Sequence, residues 1–184
     1  MAAGDRWRRE HQPGPRGIVI RDLVEGDWAE VYPFFSEIVA AGQTYAYPEG
    51  LSPEAARRYW VASDPGRTVV ATVGGRVAGT ATMRPNRPGR GSHIATASFM
   101  VDPRGHGHGV GRALGEDMVR WARDAGYRGI QFNAVVETNT RAVELWKSLG
   151  FETLATVPGA FDHPEHGLVG LHVMFKSLVG PDDH

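Results

Sequence analysis

The residues best suited to do chemistry lie between Val101 and Glu116, in VDPRGHGHGVGRALGE, where glycine recurs at every second position from Gly105 to Gly111. A two-residue repeat is the period of a strand, yet a strand of glycines has no side chains to pack and a large backbone-entropy cost. The stretch follows a strand-like SHIATASFMV and precedes an apolar helical stripe of Val110, Leu114, Met118 and Trp121. Strand, tight glycine turn and helix is an arrangement that binds phosphate. Successive N–H groups converge on the ligand, the helix start adds partial positive charge, and bare backbone permits close approach. Charge-assisted hydrogen bonds of this kind contribute about 1.5–3 kcal/mol each. Several of them hold a pyrophosphate without a lysine, and Arg112 adds a point charge in the first turn. The bland alternative is a flexible glycine hinge.

The two commonest nucleotide loops are excluded. No G-x-G-x-x-G register fits, because Val110, Arg112 and Leu114 occupy the third-glycine positions, and no glycine precedes a lysine. His106 and His108 form an H-x-H pair, but no third ligand stands within sequence reach, so no metal is expected.

The elements that must position this stretch can be read from periodicity. GIVIRDL is a first strand. Trp28, Val31, Phe35 and Ile38 recur at helical steps until Gly42, and Ser52, Pro53 and Glu54 open a second helix as N-cap, first residue and dipole partner. Gly74-Gly75 joins two strands in RTVVATVGGRVAGTATMR. After the glycine stretch and its helix come a strand (YRGIQFNAVV), a helix (TNTRAVELWKSLG), a strand (FETLATV), a loop (PGAFDHPEHG) and a last strand (LVGLHVMFKSL). The order β–α–α–β–β–β–α–β–α–β–β describes one α/β domain, a mixed sheet covered by helices. It spans residues 17–178, between a flexible tail at 1–16 and a short tail at 179–184.

Composition narrows the function classes. Formal net charge is −1, so no global field draws nucleic acid or an anionic membrane. There is no cysteine, which removes disulfides, thiolate metal sites and a cysteine nucleophile and fits a reducing compartment. No apolar run approaches the ~20 residues that span a bilayer, and MAAGDRWRREHQPGPRG lacks the apolar core of a secretory signal. A cytoplasmic protein is expected.

V-x-P-x-x-H-G-H-G-V-G-R-A-L resembles motif A of the GCN5-related N-acetyltransferases (GNAT), in which V-x-P-x-x-[QR]-x-x-G-x-G cradles the pyrophosphate of acetyl-coenzyme A. His106 stands where that family has glutamine or arginine. Asn139-x-x-Ala142 followed by Leu145-Trp146-Lys147-x-Leu149-Gly150-Phe151 is similar to the family's second signature. TYAYP, RPNRPGRGSHIATASFMV, QFNAVVETN and PGAFDHP further resemble a subgroup related to the yeast L-azetidine-2-carboxylate (proline-analogue) acetyltransferase. The resemblance implies an α/β (α+β) fold: a mixed, mostly antiparallel sheet of about seven strands with four helices. It implies acetyl-CoA as co-substrate, held by Met100, Val101, His106, Gly107, His108, Gly109, Val110, Gly111, Arg112, Asn139 and Trp146. A backbone N–H near Phe99–Val101, at a bulge or splay of the strand, would polarise the thioester, and Val101 would bond the pantetheine arm.

The acceptor implied is a small amine or imino nitrogen, an amino acid or proline analogue among the options, attacked directly without an acyl-enzyme. Asn133 and Asn139 match the subgroup's two asparagines. Trp146 stands where many relatives have a tyrosine acid, and its indole donates a hydrogen bond but is no usable acid. Asn139 is then a donor to sulfur, or a plain helix N-cap. The general base is left open among Glu137, which alternation places on the face of Asn133, His93 and a bridging water. Thr44, Tyr45 and Tyr47 in the first interhelix loop, Phe161, Asp162 and His163 in the last loop, and Thr96, where relatives carry asparagine, are the expected specificity residues. A protein or peptide N-terminus as acceptor, and a non-catalytic acyl-CoA-binding module, are the alternatives. The final strand is a plausible edge for a homodimer.

Overall fold

The computed structural model describes residues 17–105 and 109–180. His106, Gly107 and His108, and most of both tails, lie outside the described residues. Seven strands form one sheet in the order β1-β2-β3-β4-β5-β7-β6: β1 Ile18–Asp22, β2 Arg67–Val73, β3 Arg76–Pro85, β4 Ile94–Val101, β5 Gly129–Val136, β6 Glu152–His163 and β7 Gly167–Ser177. Every neighbouring pair is antiparallel except β4–β5. Helices α1 (Trp28–Ala40) and α2 (Pro53–Trp60) cover one face, and α3 (Val110–Asp124) and α4 (Thr140–Ser148) the other. This is the mixed, mostly antiparallel α/β sheet with four helices that the sequence implies.

The local signals act as expected. Ser52 accepts from the Ala55 N–H at 3.2 Å with Pro53 at the first helical position, while Gly74 and Gly75 turn the β2–β3 hairpin at positive φ. The stripe Val110, Leu114, Met118 and Trp121 is buried under the sheet. Gly115 lets α3 lie against α4, since a Cβ there would meet Leu149 at 2.7 Å and Trp146 at 3.0 Å.

The last hairpin departs from the expectation. Of the expected loop PGAFDHPEHG only Pro164, Glu165 and His166 form a turn; PGAFDH is the second half of β6, which runs through to His163. Its register against β7 breaks between Val157 and Phe161, so the two extra residues are absorbed as a bulge around Pro158-Gly159. Proline fits there because β6 is an edge strand, where a missing N–H leaves no ladder bond unmade. The final strand β7 is consequently interior, between β5 and β6, and is not the free edge the sequence suggests.

Two ion-pair systems fix the helices on the sheet. Arg67, at the start of β2, reaches Asp22 at 2.6 Å and the buried Asp117 of α3 at 2.9 Å. Arg21 of β1 makes a bidentate pair with Asp27 at 2.6 and 2.7 Å, and Asp27 also accepts the Val24 N–H at the entry to α1. The Arg21 hydrogen bonds hold the Asp27 carboxyl below its ordinary range against the opposing effect of burial. The folded state therefore binds this proton less readily than the unfolded state. The stabilisation is complete above the unfolded value of about 3.9 and is lost as pH falls through the depressed folded one. In urea denaturation, Asp27→Asn should cost stability at neutral pH, and its deficit against the parent should shrink on acidification to about pH 2.5. A deficit independent of pH would contradict this.

Candidate functional site

β4 and β5 pair only at Ile94–Gly129 and Ala95–Ile130, then diverge, although β4 continues to Val101 and β5 to Val136. Asp102 donates to Ala78 of β3, so by alternation the main-chain groups of Ala97, Phe99 and Val101 point away from β3, into the gap. A parallel neighbour would ordinarily satisfy them. The mouth of the gap lies at the C-terminal ends of both strands, where α3 and α4 begin. Ligands of open α/β sheets bind at such a crevice.

The α3–α4 side of the gap is closed by rings. Trp146, 6% exposed, lies 4.6 Å from Phe99 and 4.9 Å from Phe132 between ring centroids. On the other side stands Tyr45. Its hydroxyl donates to the Phe99 carbonyl at 2.6 Å and accepts the Phe99 N–H at 3.0 Å, taking the place of the missing strand. Tyr45 stacks on Tyr47, which stacks on Phe35. Burial, then the neighbouring Tyr47, pushes the Tyr45 hydroxyl well above the ordinary phenol range, so it is not a base near neutrality.

At the mouth, Gly109 caps α3 with φ +82°, the left-handed region that costs other residues about 1–2 kcal/mol. Val110 is buried against Gly79, whereas a Cβ at Gly111 would meet only ordinary contacts with Leu145 and Val101. Arg112 donates to Ser148 of α4 at 2.8 Å and sits 3.8 Å from Glu116, so its charge is shared with α4 and a carboxylate. Asn139 is the N-cap of α4: its side-chain oxygen accepts from the Ala142 N–H at 3.2 Å, and its amide hydrogens have no partner among the described residues. Beside it, the Thr138 hydroxyl is buried without a hydrogen-bond partner among the described residues. The open strand amides, the glycine-capped helix start and that orphaned hydroxyl fit a polar, phosphate-bearing ligand that inserts an arm between the strands.

Several expected residues sit differently. The Met100 side chain is buried in the α1–α2 core and its main chain faces β3, so Val101 and the Tyr45-bonded Phe99 turn their main chain toward the gap instead. His93 is exposed one residue before β4, six positions from Phe99. At about 3.3 Å per residue that is roughly 20 Å, too far for a base acting at the gap. Glu137 bonds Gly170 through both its carboxylate and its amide, latching β5 to β7. It also leaves the face of Asn133, because Phe132 pairs with Met174 and Val135 with His172, and the extra residue between them reverses the alternation. Asn133 faces the α1–α2 side, where it donates to Asn86 at 2.7 Å and accepts from Gln131 at 2.8 Å. Thr96 shares that face with Ser98, whose side chain bonds Tyr47.

The two specificity loops do meet. Gln43 donates to Glu165 at 3.2 Å, and Gly42 lies against Pro164. Thr44 is half-buried between Gln43 and Tyr45, and Asp162 is exposed. Phe161 packs with Val136 and Val169, and the buried His163 accepts the Glu165 N–H on Nδ1 and stacks on His166. Both rings thus shape the hairpin that the first loop rests on. Sequence reasoning missed Asn86, Gln131, Ser98 and Thr138. Strand register, which places Ser98 on the face of Thr96, was the one available signal for them.

The family model described as Acetyltransferase (GNAT) family matches residues 28–151. The chain belongs to this family. A solved GCN5-related N-acetyltransferase from Kribbella flavida is 55% identical with a TM-score of 0.87, covering 90% of this chain and 100% of that one. The GNAT fold is shared with a phosphinothricin acetyltransferase from Sinorhizobium meliloti solved in complex with AcCoA, at 22% identity, TM-score 0.77, and 87% and 88% coverage. N-acetyltransferase aca1 of Schizosaccharomyces pombe is 35% identical over 78 residues, which is 42% of this chain and 37% of that protein. This GNAT chain thus spans well under half the length of that curated relative. No helix among its described residues is long and apolar enough to cross a membrane.

Tyr45→Phe removes both hydroxyl bonds to Phe99. It should lower unfolding stability by about 1–2 kcal/mol and speed hydrogen exchange at the Phe99 amide. Unchanged exchange would mean that the hydroxyl does not protect that group.

Proposed function

We propose that this chain is an acetyl-CoA-dependent N-acetyltransferase that transfers acetyl to a small-molecule amine or imino nitrogen by direct attack. The observation that carries the reading is the β4–β5 gap. It offers an unpaired main-chain donor at Val101, and one at Phe99 held only by the Tyr45 hydroxyl, beside a helix whose glycine cap leaves its first N–H groups open. The transfer forms a C–N bond, breaks a C–S bond and moves one proton off the amine. The chain's own contribution is electrostatic and geometric. N–H groups of β4 are placed to meet the thioester oxygen, where negative charge develops, beside aromatic rings that screen the α3–α4 side from bulk solvent.

Val101, whose N–H is not taken by Tyr45, is the donor available without rearrangement. Phe99 becomes a second donor once the Tyr45 hydroxyl gives way. Gly109, Val110, Gly111 and Arg112 hold the diphosphate through the start of α3. Asn139 can cap α4 with its oxygen while its amide hydrogens reach sulfur. No buried carboxylate or imidazole faces the gap among the described residues, so the amine must arrive neutral, and its remaining proton passes by way of water at the mouth to the departing thiolate.

A small acceptor is favoured over a peptide because Tyr45, Tyr47 and the hairpin against Gln43 cover the acceptor side. A thiol-release assay with acetyl-CoA tests this. Turnover with small amines supports it, turnover with peptides alone replaces the acceptor class, and tight coenzyme binding with no turnover on any acceptor rejects catalysis. Gly109→Val should weaken acetyl-CoA binding by calorimetry more than tenfold, since about 1–2 kcal/mol of backbone strain adds to a side chain in the phosphate path. Unchanged affinity would remove the diphosphate from this helix start.

A further inference from the structure

On the α1–α2 face, beside the gap, lies a group of polar side chains that coenzyme binding leaves unused. Arg84 of β3 and Thr96 of β4 are direct cross-strand partners, and the chain of amides Gln131–Asn133–Asn86 continues across β5 and back to the end of β3. None of these is a carboxylate. Arg84 is exposed and enters none of the ion pairs found among the described residues, in contrast to Arg21, Arg67, Arg104, Arg112 and Arg120. Its charge nevertheless acts on the Tyr47 hydroxyl, so it lies near the wall of the acceptor side.

An uncompensated guanidinium at the edge of an amine site has two physical consequences. Its planar fork is a ready partner for a carboxylate. A positive charge close to the acceptor nitrogen also disfavours the ammonium form and so favours the nucleophilic free amine. The second effect compensates for the missing base. The spacing suits a short ligand. Phe99 pairs with Ala81, three residues before Arg84. At about 3.3 Å per residue and about 4.8 Å between strands, the two Cα atoms are roughly 11 Å apart. Arg84 rises from the α1–α2 face at that separation, within the reach of a small ligand lying over that face between the guanidinium and β4.

We propose that Arg84 is the specificity-determining residue that binds the carboxylate of the acceptor, so that the acceptors are small amino or imino acids rather than amines lacking an acid group. Thr96 and the Asn86–Asn133 amides flank that carboxylate. The proposal rests on the acetyl-transfer reading above and narrows its acceptor.

The test pairs free amino and imino acids with their own carboxamides in the thiol-release assay, on the full chain. The parent protein should prefer the acid by at least about tenfold in kcat/KM, the size expected from one charge-assisted pair. In Arg84→Gln that acid-over-amide ratio should fall toward one, mainly through KM, while Arg84→Lys keeps part of it. Calorimetry with acetyl-CoA runs alongside and should show the coenzyme still bound by both variants. Equal use of acids and amides by the parent overturns the carboxylate assignment and leaves acetyl transfer standing, as does an equal loss on both acceptor types in Arg84→Gln. Loss of acetyl-CoA binding in Arg84→Gln overturns it too, since the residue would then serve the coenzyme. Absence of turnover on every acceptor by a parent that binds acetyl-CoA overturns both readings.

Discussion

Two parallel strands that stop pairing after two residues set the terms for the rest of this molecule. Main-chain groups turned into a sheet interior must find partners, because an unmet buried N–H or C=O costs about 1–3 kcal/mol. Beyond Ala95 and Ile130 the sheet withholds those partners from β4. The protein meets part of the demand with one phenol, Tyr45, and shields the gap with Trp146, Phe132 and Phe99. What is left open, at Val101 and at the start of α3, is backbone aimed at a shared mouth. Open polar backbone at the crevice is thus a direct product of the unfinished ladder.

The rings around that gap do more than fill space. Phe35, Tyr47 and Tyr45 form a stack that continues edge-on to Trp60, so the first interhelix loop is held by the same core that anchors α1 and α2. Trp60 in turn donates to Thr80 inside the sheet at 3.1 Å. A loop anchored in this way is held as part of the scaffold, with its rings fixed beside the gap.

Elements were legible where one residue type forces one geometry. Ser52-Pro53 fixed the start of α2, Gly74-Gly75 the first hairpin, and the Val110-to-Trp121 stripe the face of α3. The glycine alternation and the Asn139 signature located both helix starts at the mouth. Three features were not legible, each for a physical reason. In FNAVV either register keeps an apolar residue inside, so nothing in the pattern announces the bulge that turns Glu137 away from Asn133. Pro158-Gly159 has loop chemistry, yet an edge strand tolerates it. The Tyr45–Phe99 clamp joins residues 54 positions apart and depends on a sheet defect that no local periodicity encodes. His93 shows a related limit of sequence reading: standing just before the strand of Phe99 says nothing of nearness to it when strands are extended.

Asp117, 4% exposed in its side chain and nearly two helical turns from the start of α3, is clamped by Arg67, which itself holds β1 through Asp22. Removing one partner of such a buried pair costs about 3–5 kcal/mol, so the helix axis is pinned at its middle by charges that never approach a ligand. The aim of the N–H groups at the start of α3 is therefore set from the far side of the helix: substitution at Arg67 or Asp117 would re-aim them with every residue in the crevice left as it was.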